Sequence, residues 1–188
     1  HLPRMFLGRH IGDDDAVFLG HLWYADRCIT GFARTAIVRW PDSLVVVTAD
    51  HPGRRWLVDH PDPLERYLVP CVFFGPRVLT GIHAPPAIAG CHLDIVPTLV
   101  ELCAPQGFVY HSMGRDLLTP PRVRYAVGRD IVLTPEALYD LHGSPRMVPV
   151  EAAGALSYGR ILPEQMEQYH DAVMGIAWWR VMKGSSIP

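Results

Sequence analysis

Asp50 and His51 are the two residues of this chain whose types and setting most directly offer chemistry. A carboxylate beside an imidazole supplies an oxygen and a nitrogen donor, a pair that divalent transition metals accept. The pair follows Leu44–Val45–Val46–Val47–Thr48, an apolar run that ends at a turn signal, Pro52–Gly53. Such a run reads as a strand buried on both faces, as in parallel sheets covered by helices. Ligands gather beyond the carboxyl ends of strands in those sheets, which is where Asp50 and His51 fall. An isolated Asp-His dipeptide is common in loops, so its setting must carry the weight.

Other polar candidates cluster around the pair. Arg54 and Arg55 follow it directly, and paired guanidiniums match phosphate oxygens bidentately. A solvated loop with charge to spare is the plainer account of them. His60 lies further along the same Pro-rich loop, either as an acid or phosphate donor or as a solvated loop histidine. His92 stands two residues before Asp94 at the start of a helical pattern, where capping and loop fixing compete with a substrate contact.

The elements that must position these residues are partly legible. Asp13, Asp14 and Asp15 put negative charge where a helix dipole favours it. Behind them Phe18, Leu22, Ala25, Ile29 and Phe32 recur at intervals of four and three, so a helix over roughly 14–36 is expected with that stripe inward. A second apolar strand is expected within 68–76, stopped by Gly75–Pro76. Asp94 is expected to cap a helix running to Cys103, with Pro97 in its first turn and Val96, Leu99, Val100 and Cys103 buried. Two short strands or a hairpin should flank Gly128–Arg129. Pro163 should open a last helix with Met166, Tyr169, Val173 and Ile176 on one face. At least one of Trp178 and Trp179 is expected in a core.

The whole composition fits such an arrangement. The 188 residues suffice for a single domain with a real core, and 49% hydrophobic with 19% charged residues argues against disorder. A net charge of −2 gives no electrostatic case for nucleic acid or an anionic membrane as partner. No apolar run reaches the roughly 20 residues that span a bilayer. Cys28, Cys71, Cys91 and Cys103 follow no C-x-x-C spacing, which excludes a zinc ribbon, and their apolar neighbours predict buried thiols. The alternation of strand and helix predicts an α/β domain.

Three blocks, in this order, carry a resemblance: "LVVVTADHPG", then "VPCVFFGP" at 69–76, then "CHLDIVPTLVELCAP" at 91–105 followed by "GRDLL" at 114–118. Together they resemble the C-terminal part of the sulfatase-like branch of the alkaline phosphatase superfamily, closest to the lipoteichoic acid synthase and phosphoethanolamine transferase group. The helix containing Tyr24–Ala25–Asp26 is similar to the family helix before the metal strand. The resemblance implies a mixed sheet flanked by helices, with Asp50 and His51 as metal ligands. His1, ahead of Leu2–Pro3, resembles the family's substrate-contacting histidine before a proline. Manganese or zinc is the implied cation, ahead of calcium or magnesium. A phosphate ester of lipid head groups or envelope glycans is the implied substrate, with a sulfate ester as the alternative.

The family's nucleophile, a threonine or a formylglycine, lies in an N-terminal half that these residues do not contain. The sulfatase signature C-x-P-x-R is absent: Cys71 precedes Val72 and Phe73, and Cys103 precedes Ala104 and Pro105. The resemblance therefore implies the C-terminal half of a larger enzyme, inactive by itself, with part of a metal site and a surface that self-associates in the absence of its other half. It further implies an extracytoplasmic domain of a cytoplasmic-membrane protein. A binding or assembly module that kept the fold and lost the chemistry is the competing expectation.

Overall fold

The three aspartates do start a helix. In the computed structural model, α1 spans Asp13–Arg39 with all three in its first turn and Gly12 as its N-cap. It stops at Trp40, whose N–H closes on the Ala36 carbonyl at 2.7 Å, because Pro41 cannot continue the ladder. The structure describes residues 5, 6, 8–53, 55, 56, 64–84, 88–119, 125–134, 136–141, 146–149 and 162–183. They divide into two compact units, residues 1–81 and 82–188, each taken by itself below.

In the first unit, strands β1 (Met5–Phe6) and β2 (Arg9–His10) pair antiparallel ahead of α1. After α1 come β3 (Val45–Thr48) and β4 (Cys71–Phe74), also antiparallel, with Val45 opposite Phe74 and Thr48 opposite Cys71. Both strands lie where the apolar runs place them, but the doubly buried, parallel setting expected for β3 is not what forms. Val45, Val46 and Val47 are half-buried, and Val72 is 52% exposed. A parallel return needs a crossover long enough to recross the sheet, usually a helix. Among the described residues between the strands there is only a turn at 64–67, so the chain comes back antiparallel.

The stripe on α1 is also not buried as expected. Leu22, Ile29 and Phe32 are 50%, 43% and 67% exposed, whereas Ala16, Ala33 and Ala36 are buried. The cause is length. A 27-residue helix runs about 40 Å, and a four-residue ribbon about 13 Å, so the ribbon cannot cover it.

In the second unit a 3-10 turn, His92–Asp94, leads into α2 (Ile95–Cys103). Strands β5 (Ala126–Val127), β6 (Ile131–Leu133), β7 (Ala137–Asp140) and β8 (Arg146–Pro149) then form an antiparallel meander in that order. The Gly128 turn is the predicted hairpin, closed by Gly128 N–H on the Ile131 carbonyl at 3.0 Å. Helix α3 (Pro163–Lys183) packs its first turns on the meander. Val132, Tyr139 and Met166 make the core, with Tyr125, Leu141 and Tyr169 against it. The rings of Tyr125 and Tyr169 lie 4.5 Å apart. His170 Nε2 meets the Arg129 carbonyl at 2.9 Å, fixing α3 to the hairpin turn.

Three burial expectations fail here for one reason. Trp178 and Trp179 are exposed rather than in a core, because strands of two to four residues reach only the first turns of α3. On α2 it is Pro97 and Thr98 that are buried, while Val96 and Cys103 are exposed and Leu99 and Val100 half-buried. Cys28, Cys71 and Cys103 are exposed thiols and Cys91 is half-buried. Small sheets offer too little area to bury every apolar face the pattern supplies. The mixed helix-and-sheet class itself holds, with antiparallel pairing throughout the described residues.

Candidate metal site and its surroundings

The ribbon delivers Asp50 and His51 just past the end of β3, at the end where Thr48 faces Cys71. The other end of the ribbon is set by Gly75, whose missing side chain makes room. A Cβ there would stand 2.9 Å from the Ser43 carbonyl oxygen and 3.0 Å from a Leu44 methyl. The ribbon is thus packed closely at its Gly75 end, and the pair leaves the other end in an exposed bend.

His51 Nδ1 lies 2.8 Å from the Pro52 carbonyl oxygen. A carbonyl only accepts, so Nδ1 donates, and in the neutral imidazole Nε2 then carries the lone pair. Nε2 is 3.6 Å from Asp50 Oδ2, with the two side chains 52% and 88% exposed. Two ligands each about 2.1 Å from a tetrahedral cation stand about 3.4 Å apart. The pair therefore has the donor types, the tautomer and nearly the bite of two adjacent metal ligands. A backbone carbonyl on the distal nitrogen is also the usual orienting partner of a ligating histidine.

The remaining candidates are dispersed. Arg55 donates from Nε to Asp15 Oδ1 at 3.1 Å, with Nη2 on the same oxygen, and its guanidinium lies 5.7 Å from the Phe18 ring centre. It ties the loop after the pair to the first turn of α1. Arg55→Ala should cost under about 1 kcal/mol, because the pair is partly exposed and screened. A chemical-denaturation midpoint unchanged by salt in the wild type would count against even that contribution. His92 opens the 3-10 turn, exposed, in the other unit. His1, Arg54 and His60 lie outside the described residues. Among the described residues, no group of three His, Cys, Asp or Glu side chains gathers within metal-binding reach of one another.

Asp94 does something other than cap α2 with its side chain. The carboxylate, 5% exposed, accepts the Cys91 N–H on Oδ2 and the Arg115 N–H on Oδ1, both at 2.8 Å. The Cys91 sulfur takes the Asp94 N–H in return, a capping box on the 3-10 turn. Burial, with Asp94 nearby, pushes the Cys91 thiol up from its ordinary pKa. One turn on, Thr98 Oγ1 donates to the Asp94 carbonyl at 2.6 Å and accepts the Leu117 N–H at 2.9 Å. Asp94 and Thr98 thereby hold the 114–118 segment against the helix start. Sequence reasoning quoted both blocks but missed Thr98. The signal available was a Thr four residues after a buried Asp, with each side chain able to serve a second segment.

No family model matches this chain, and neither the curated proteins nor the solved structures give a match.

Proposed function

We propose that this chain is the C-terminal half of a metal-dependent phosphotransferase or hydrolase acting on phosphate esters, with lipid head groups or envelope glycans as the substrate class. The observation that carries the reading is the Asp50–His51 pair: an exposed carboxylate 3.6 Å from an imidazole nitrogen whose tautomer is set for coordination. The order of the three sequence blocks supports it. Asp50 Oδ2 and His51 Nε2 would hold a manganese or zinc ion. Such an ion, when bound, polarises a phosphoryl oxygen and stabilises charge that develops on it. The role of this chain's own residues is to present two ligands in the bend just past β3, with the Pro52 carbonyl accepting from the imidazole Nδ1. The nucleophile and the other acidic ligands belong to residues outside this chain in this reading.

Two ligands bind metal weakly, so the test must register weak binding. Substoichiometric Mn²⁺ should broaden the amide signals of Ala49, Asp50, His51 and Gly53 ahead of all others in an NMR spectrum of the 188-residue chain. The effect should vanish in Asp50→Asn and in His51→Ala. Broadening centred elsewhere, or unchanged in both variants, overturns the metal reading. In the parent polypeptide, a threonine nucleophile upstream distinguishes phosphate chemistry from a sulfatase, which would carry C-x-P-x-R.

A further inference from the structure

The exposed stripe of α1 keeps one regular spacing along most of the helix, beside other exposed apolar residues such as Trp23 and Tyr24. Phe18, Leu22, Ala25, Ile29, Phe32 and Ala36 alternate steps of four and three without a break, a 3.5-residue repeat. That repeat is the one a coiled-coil seam uses. The unit's own residues cover its ends: Arg55 lies over Phe18, and Ala36 is buried. Its middle, Leu22, Ala25, Ile29 and Phe32, is exposed.

From this geometry we infer that α1 pairs antiparallel with α1 of a second copy of this chain, about a two-fold axis near Arg27. Residues of the two alternating seam positions face each other in an antiparallel pair. The register that centres the exposed quartet on itself sets Leu22 against Phe32 of the copy and Ala25 against Ile29. A small residue then faces a large one in the inner layers, as close packing of a seam requires. Charge chooses the direction. The helix is acidic at its start, Asp13, Asp14 and Asp15, and basic toward its end, Arg34 and Arg39. The antiparallel register brings the acidic end of each helix to the basic end of the other, with Asp15 opposite Arg39. A parallel pair would stack six aspartates together and oppose the two helix dipoles unfavourably. Arg55 engages Asp15 only at Oδ1, so its bond and the pairing coexist. On one rim Cys28 meets Cys28 of the copy. On the other Asp26 meets Asp26, which weakens the pair and keeps it reversible.

The inference is independent of the metal reading, and the same 188-residue chain tests it. Sedimentation velocity should show a monomer–dimer equilibrium with a midpoint on the order of 10–100 µM, as suits an interface of two heptads. A short bismaleimide should yield the Cys28–Cys28 linked peptide by mass spectrometry. Ile29→Asp, at an exposed position, should leave the circular dichroism spectrum unchanged, abolish the dimer and remove the cross-link. Cys28→Ser should remove the cross-link and keep the dimer. A chain that stays monomeric across that range, a dimer that survives Ile29→Asp, or linked peptides without Cys28 each overturns the proposal.

Discussion

Gly114→Ala should unfold the second unit's α2 region well below the wild-type temperature. A Cβ at Gly114 would stand 1.8 Å from the Leu93 carbonyl oxygen, 2.2 Å from its carbon and 2.7 Å from the Asp94 nitrogen. All three are backbone atoms of the turn that starts α2, so no side chain can swing aside to relieve the clash. The segment must lift off or the turn must break, and either loses the Arg115 and Leu117 hydrogen bonds. Overpacking costs up to about 3 kcal/mol even where neighbours can adjust, and here they cannot. For a unit of this size a loss of about 3 kcal/mol lowers Tm by roughly 12–24 °C. Gly175→Ala is the control: it lies within α3 with open space around it, so alanine should be neutral or stabilising by up to about 1 kcal/mol. Thermal unfolding of Gly114→Ala at the wild-type temperature would mean that 112–118 does not pack on Leu93.

Asp94→Ala is the second large loss, and its size follows from what is left behind. Removing the carboxylate strands the Cys91 and Arg115 N–H groups at a site from which water is largely excluded. Each unsatisfied donor costs about 1–3 kcal/mol, so a total near 3 kcal/mol is expected. Asp94→Asn keeps one acceptor oxygen and should cost about half as much on the same grounds. Thr98→Val removes the hydroxyl that serves Leu117 and the Asp94 carbonyl. Its effect should fall short of additivity with Asp94→Ala, since both variants release the same segment. Urea unfolding gives the energies, and hydrogen exchange gives the location: the Arg115 amide should lose protection in Asp94→Ala. An Arg115 amide that exchanges at the wild-type rate in that variant would sink the assignment.

These two variants act on residues whose importance the sequence displayed only in part. Asp94 was legible as a helix-start residue because Asp before an apolar run is a local signal. Its bond to Arg115 was not, because the partner lies 21 residues away and no spacing rule connects them. Gly114 gave no signal either, since its need for space arises from another segment's backbone. Asp50–His51 was legible as a candidate pair, although the doubly buried parallel strand expected to carry it did not form. The apolar run, the turn signal and the adjacency of the two residues are all local, and only the tautomer and the 3.6 Å separation needed the structure.

The sequence by itself determined the elements and most of their ends. Aspartates at 13–15 began α1, Pro41 ended it, Gly128 turned the hairpin and Pro163 opened α3, each through forces acting within a few residues. It also wrote the apolar stripe on α1, Phe18 to Phe32, though not what covers it. Only the tertiary structure decided which faces are covered, that β3 and β4 run antiparallel, and that three of the four cysteines are exposed. The reason is physical: a hydrophobic pattern states which surface would gain from burial, whereas burial itself requires area elsewhere in the fold. Among the described residues the sheets are short, the helices long, and the apolar surface exceeds what those sheets can cover.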